Sequence, residues 1–415
     1  MESYLNTVDN CIEGAYYHWW RQLRTVYDML FKTPELTEDE LQVVDKIEDI
    51  KRELGHAVSA PKRWFGLIRR ATFARAIRAS NTIEGFEVSP DDAIAAVERE
   101  EPLDSKAEAW AAVNCYRSAM TYVLQLADAP AFTYSLDILS SLHFMMLEYD
   151  LTKHPGRWRI GPIFVSDEEK KEDVYEGPPA ELLSELMSEL VASLNNNNRS
   201  VPSVVAAAMA HLNFVMIHPH SDGNGRMARC LHTLVLARTG ILAPVFSSIE
   251  EYLGRNTRQY YDVLLQVGGG TWRPERDARP WIRFCLKAHY QQARTVQNRL
   301  REMQILWDLL EKQIAEHGLP ERVIYALADA ANGYRVRNAI YRPAAEITNQ
   351  IASRDFKVLV EHGFLTPVGE KRGRSYRASP ELLALRGGIR LPRKIEDPFQ
   401  LITGTPYLPG LGPTV

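Results

Sequence analysis

The stretch Ile217-His218-Pro219-His220-Ser221-Asp222-Gly223-Asn224-Gly225-Arg226-Met227-Ala228-Arg229 joins two segments whose apolar residues recur at helical spacing, 202–217 and 226–239. It therefore reads as a helix–loop–helix junction, with the second helix beginning near Arg226. Gly223, Asn224 and Gly225 all tolerate left-handed backbone. Successive N–H groups can thus turn into one concavity that binds an anion, and the positive end of the following helix faces the same space. Arg226 and Arg229 stand three apart on that helix and can both reach a polyphosphate. Asp222 is placed to hold Mg²⁺, an ion that takes one or two carboxylates and completes its shell with phosphate oxygens. His218 ends the first helix and is the candidate general base.

Outward from this junction the chain is dominated by helical periodicity. It marks 15–31, 38–54, 61–84, 91–100, 105–128, 132–148 and 178–194 before the loop, and 251–267, 279–314, 320–330 and 348–362 after it. Strand signals are confined to Arg159–Val165 with Tyr175, and to Phe364–Val368 with Ser375–Arg377. The fold class is therefore mainly α. At 415 residues, 45% hydrophobic and 25% charged, the composition excludes a disordered, collagen-like or disulfide-framework chain. Cys11, Cys115, Cys230 and Cys285 form no C-x-x-C pair, so neither a zinc ribbon nor a redox motif is expected. They read as reduced thiols of a cytoplasmic protein. The opening Met-Glu-Ser-Tyr lacks the basic and apolar regions of a secretory signal, and no apolar run is long enough to span a membrane.

The junction resembles the Fic-domain signature, His-Pro-Phe-x-(Asp/Glu)-Gly-Asn-Gly-Arg-x-x-Arg, at eight of its nine specified positions. The exception is His220, where the family usually carries a Phe packed into the core. The resemblance extends over roughly 105–290, through Leu142-His143, Gly156-Arg157-Trp158-Arg159, Ile163, Val165, Tyr175, Pro178, Pro179, His211, Phe214, Arg258-Gln259-Tyr260-Tyr261-Asp262-Val263-Leu264 and Trp281. It implies transfer of AMP from ATP to a Ser, Thr or Tyr hydroxyl of a target protein or of the chain itself. His218 would deprotonate that hydroxyl, and Asp222 would position Mg²⁺ on the α- and β-phosphates. Asn224 and the Gly223–Gly225 backbone would stabilise charge on the α-phosphate, while Arg226 and Arg229 would hold the β- and γ-phosphates. A flap at Ile163, Phe164 and Val165 would align the target by strand-like pairing. Tyr260 and Tyr261 are candidates for adenine contact, with core packing as the alternative for each.

Ser80-Asn81-Thr82-Ile83-Glu84-Gly85 closes another helical pattern. Ser80 and Glu84 are four apart, hence on one face, and Gly85 suits a C-terminal cap. A Glu in the last turn meets the unfavourable end of the helix dipole, which a cation elsewhere would relieve. The segment also resembles the inhibitory motif of Fic proteins, (Ser/Thr)-x-x-x-Glu-(Gly/Asn). By that resemblance Glu84 pairs with Arg229 and keeps the γ-phosphate out of a productive pose.

Residues 321–380 follow a different pattern, one that looks like a winged helix-turn-helix with a recognition helix at 348–361 and a wing at 366–377. Between Thr366 and Lys394 eight Lys/Arg face two Glu, an excess suited to phosphates. Asn349, Gln350, Ser353, Arg354, Lys357, Arg372 and Arg374 are the candidate DNA contacts; the alternative is a module for protein contact or dimerisation. The expected architecture is a Fic-type helical bundle with a short β-hairpin flap plus a C-terminal winged-helix domain. Its divisions are an N-terminal helical region (1–104, inhibitory helix about 70–85), the core (105–290), a linking helix (291–319), the winged helix (320–394) and a tail (395–415). ATP as substrate, Mg²⁺, a target protein, DNA and a second copy are the expected ligands and partners, with no membrane. Two other readings stand beside transfer: removal of AMP at the same site, and a DNA-binding regulator with a nucleotide-sensing body.

Overall fold

The computed structural model describes residues 29–59, 62–167, 171–196, 200–238, 244–370, 374–389, 391–392 and 394–403. Cys11, most of the helix expected at 15–31, the candidate DNA contact Arg372 and the tail beyond Thr403 lie outside them. Before the loop the periodic segments form α1 (Glu38–Ser59), α2 (Phe65–Ile83), α3 (Pro90–Glu98), α4 (Ala107–Ala127), α5 (Leu136–Leu147), α6 (Leu183–Asn195) and α7 (Ser203–Ile217). After it come α8 (Asn224–Ala237), a short α9 (Pro244–Ser247), α10 (Glu250–Arg255), α11 (Thr257–Gly268) and α12 (Arg279–Glu316). The single helix expected at 251–267 is broken at Asn256, which leaves helical geometry at φ −126°, ψ 35° while its side-chain amide donates to the Tyr252 carbonyl.

The central pair is α7 and α8. Helix α7 is buried on nearly every side, as its run of Val, Ala, Leu, Phe and Met requires. Against it lies α12, whose Trp281 donates its indole N–H to the Ala208 carbonyl at 2.7 Å. At about 1.5 Å per residue the 38-residue α12 is roughly 57 Å long. It crosses the expected boundary at 290/291 without a break, so the linking helix is the continuation of a core helix. A two-stranded antiparallel hairpin, β1 (Phe164–Asp167) and β2 (Glu172–Glu176), sets Val165 opposite Tyr175, with a bulge after Val165. Glu176 bridges to Thr271, whereas β1 pairs only with β2 among the described residues.

The C-terminal part contains α13 (Ile324–Ala331), α14 (Asn338–Ala345) and α15 (Asn349–Glu361), then a hairpin of β3 (Leu365–Val368) with β4 (Ser375–Ala378), and α16 (Pro380–Gly387). Thr348 caps α15 by accepting from the Ile351 N–H. Asp355 on α15 takes both ends of the Arg322 guanidinium and the Tyr341 hydroxyl. The final α17 (Pro398–Thr403) lies along α1 and α12, with Phe399 under the Arg283 guanidinium at 3.9 Å. Buried apolar residues from Leu30 to Leu382 form one continuous core. No described helix is long and apolar enough to cross a membrane.

Candidate active site

The chain leaves α7 through His218, a non-glycine residue in the left-handed region at φ 51°. Its N–H caps the Phe214 carbonyl. Its Nδ1 lies 3.0 Å from the Val215 carbonyl, which can only accept. The proton therefore resides on Nδ1, and Nε2 keeps its lone pair. Burial lowers the His218 pKa, so the ring is neutral and able to accept a proton at neutral pH. The Arg159 guanidinium holds the loop from behind, donating to the carbonyls of His218 (2.9 Å), Gly161 (2.7 Å) and Pro178 (2.5 Å). One side chain thus ties both ends of the hairpin to the backbone of His218.

His220 takes a core position. Its ring stacks on His143 at 3.5 Å, and its Nδ1 donates to the Arg157 carbonyl. Burial pushes its pKa down to about 3, so it is a neutral aromatic filler of the core. His143 accepts from the Gly156 N–H and donates to the Asp222 carbonyl, bracing the loop from the other side. The Asn224 side chain is bonded within the loop, accepting from the His220 N–H and donating to the His220 carbonyl. What it offers an anion is the fixed shape of the turn. Gly223 sits at φ 78°, and a Cβ there would meet Leu147 at 2.9 Å.

Helix α8 starts at Asn224, two residues earlier than expected, so the unpaired N–H groups of its first turn open onto this concavity. Asp222 accepts from the Gly223 N–H and pairs with Lys153 at 2.8 Å. Burial alone would raise its pKa, but Lys153 and Arg226 outweigh it and the carboxyl titrates below its usual range. It stands at the mouth as one accessible carboxylate, and no group of three or more potential metal ligands occurs among the described residues. That donor set fits Mg²⁺ only where phosphate oxygens complete the shell.

Arg226 is fully buried, yet its Nε, Nη1 and Nη2 have no hydrogen-bond acceptor; Asp222 Oδ1 is 3.9 Å away and the Phe86 ring 5.2 Å. Arg229, also buried, is better supplied: its Nε and Nη2 are bonded, and its Nη1 alone has no acceptor. It donates to Glu84 Oε1 at 2.6 Å, Ser80 Oγ at 2.7 Å and the Ser80 carbonyl at 3.0 Å. Glu84 reaches it because α2 ends there, with Gly85 at φ 82° turning the chain away. The carboxylate lies directly over Gly225, where a Cβ would meet Glu84 Oε1 at 2.5 Å.

Sequence reasoning missed Glu250, which is wholly buried behind this pair. It accepts from Tyr116 at 3.0 Å, and burial pushes its pKa up to about 7 even with Arg229 opposing. Tyr260 is buried with its hydroxyl on His211, so core packing accounts for it here; Tyr261 is 41% exposed and touches the last turn of α2 through the Ile83 carbonyl. In the flap, Ile163 precedes the strand and accepts from the Gly177 N–H, while Phe164 (49%) and Ile160 (98%) are exposed. Asn349, Gln350, Ser353, Arg354, Lys357 and Arg374 are all exposed, but Asn349, Ser353, Lys357 and Arg374 share a groove with Glu100 and Glu101.

In this helical body a turn opens onto a helix N-terminus that carries the buried Arg226 and Arg229, an arrangement suited to an anion. The Fic/DOC family model matches residues 133–236, which include the whole loop and the hairpin. A Fido domain-containing protein of Dictyostelium discoideum is 40% identical over 112 residues, which are 24% of this chain and 78% of that protein. The chain belongs to the Fic/DOC family. It is also similar to protein adenylyltransferase Fic of Nematostella vectensis, at 27% identity over 256 residues, 61% of this chain and 55% of that protein. The chain thus spans about half the length of that relative. Its fold is shared with a Fic family protein from Desulfovibrio desulfuricans G20 (TM-score 0.54, 21% identity, covering 85% of this chain and 99% of the other).

Proposed function

We propose that this protein transfers AMP from ATP to a Ser, Thr or Tyr hydroxyl of a target protein or of itself, and that Glu84 restrains the reaction by occupying Arg229. The observation that carries the reading is Arg226. A fully buried guanidinium without an acceptor is costly unless an anion completes it. The turn beside it presents a helix N-terminus, the usual seat of a phosphate. Relatives named protein adenylyltransferase Fic support the choice of nucleotide.

In this mechanism the target hydroxyl approaches along the free edge of β1, where the exposed Phe164 and Ile160 offer apolar contact. His218 Nε2 takes the hydroxyl proton as the oxygen attacks the α-phosphorus. The bond from that phosphorus to the β-phosphate oxygen breaks, and pyrophosphate leaves. First-turn N–H groups of α8 stabilise charge on the α-phosphate, and Arg226 holds the β-phosphate. Mg²⁺ held by Asp222 would neutralise charge on the phosphate oxygens. A γ-phosphate on Arg229 must displace Glu84, because two anions cannot share one guanidinium at that depth without repulsion. Removal of AMP from a modified protein would use the same loop. DNA contact by the C-terminal module has weaker support, since Glu100 and Glu101 put like charge where phosphates would lie.

The test is titration of Mg·ATP into Glu84→Gly and Glu84→Gly/Arg226→Met chains. Losing a charge-assisted phosphate contact of about 2 kcal/mol weakens binding roughly thirty-fold. Equal affinities would remove Arg226 from the site.

A further inference from the structure

Helix α2 has a second polar face. Ser80 and Glu84 point toward Arg229, and at 100° per residue Arg75, Arg78 and Thr82 fall on the opposite side. That opposite side lines a cavity of about 290 Å³ closed by α3, by Arg255 of α10 and by Tyr334. Small residues (Ala74, Ala79, Gly254) leave the room.

The charge in this cavity is unbalanced. Arg75 makes no hydrogen bond or ion pair to any described residue, and burial lowers its pKa, with Arg299 and Arg255 adding to the effect and Tyr334 and Glu251 opposing it. Arg78 uses only its Nε, on the Val88 carbonyl. Arg255 donates to the Glu251 carbonyl and to Gln292 Oε1. The one carboxylate in the lining, Glu251, is already taken by Arg299 in a bidentate pair at 2.6 Å for each bond. Three guanidinium groups therefore converge on a space with no free anion.

We propose that this cavity is a binding site for a compact, multiply charged phosphate anion, bridging Arg75 and Arg78 of α2 to Arg255 of α10. Arginine forks suit phosphate oxygens, and three cations match a multiply charged anion better than a monocarboxylate. The volume lies at the small end of ligand pockets, enough for a diphosphate and too little for a whole nucleotide. Such an anion would tie the helix that carries Glu84 to α10; that consequence rests on the restraint proposed above, whereas the binding itself does not.

The experiment is calorimetric titration of inorganic pyrophosphate at 150 mM salt into the full chain, with the Arg226 loop pre-saturated by a non-hydrolysable ATP analogue. Wild type, Arg75→Gln and Arg255→Gln are compared, with circular dichroism to confirm folding. We expect one site in wild type, weakened at least tenfold by Arg75→Gln and by Arg255→Gln. Should Arg75→Gln fail to fold, the exposed Arg255→Gln reads the same loss. Absence of binding, or equal affinity in wild type and the folded Arg75 or Arg255 variants, overturns the proposal. The readout is heat, independent of AMP transfer, so its failure leaves the active-site reading standing, and the reverse holds too.

Discussion

The residues around Arg229 form a short polar cluster: Glu84 on one side, Ser80 bonded along it, and Glu250 buried behind. Glu250 has a measurable consequence. Its pKa is raised from 4.5 to about 7, so in the fold it holds a proton that the unfolded chain has already lost. The stability it contributes is present below about pH 4.5 and is lost as pH rises through about 7. The shift corresponds to about 3 kcal/mol. Urea unfolding of wild type and Glu250→Gln at pH 4.5 and 8 should show wild type losing that much relative to the variant; parallel pH dependences would contradict the assignment. At this scale the sequence was legible where residue types have narrow roles. Gly-Asn-Gly followed by two arginines admits few readings, whereas Glu84 stands out only through the resemblance of Ser80–Gly85 to an inhibitory motif, its spacing from Ser80 fitting a solvated helix end as well. Arg159 and Glu250 were not found as actors in the site, because they work through partners far along the chain and carry no local pattern.

Among the elements, α2 matters most, because it delivers Ser80 and Glu84. It can lie close to α10 only because residue 254 is Gly: a Cβ there would stand 2.8 Å from Ala79 Cβ and 3.1 Å from its Cα. Gly254→Val therefore forces α2 outward, at a cost of about 1–3 kcal/mol, and should raise AMP transfer several-fold. Thermal unfolding and transfer rates measured together decide it; lost stability with unchanged transfer would mean that this contact does not hold Glu84. Helices with a clean apolar period were legible to within a few residues. Helix α14 was not, because Pro343 lies inside it and Arg, Asn and Pro interrupt its pattern. The break at Asn256 was hidden for the opposite reason, since the apolar spacing continues through it.

Over the whole molecule the expected divisions are crossed by packing. The single core and the unbroken α12 join parts that composition had separated, and ion pairs bind the C-terminal module to the helices that bear Glu84 and its neighbours. Arg70 of α2 pairs with Asp329 of α13 at 2.5 Å, and Arg335 grips Asp91 and Asp104 together. Such pairs join residues more than 200 positions apart, which no local reading reveals. Arg335→Ala removes the guanidinium from the half-buried Asp91 and leaves it the backbone N–H of residue 335, at about 1.5–3 kcal/mol for the lost charge-assisted bond. Hydrogen exchange should quicken in 324–389 while α7 and α8 stay protected; unchanged exchange in the module would show that the clamp is not structural. The loop from His218 to Arg229 is assayed by the rate of AMP incorporation into protein from ATP labelled on the α-phosphate. Glu84→Gly should exceed wild type at least tenfold, and His218→Ala in that background should fall to the blank; equal rates for wild type and Glu84→Gly, or label transferred without His218, would overturn the proposed transfer and its restraint.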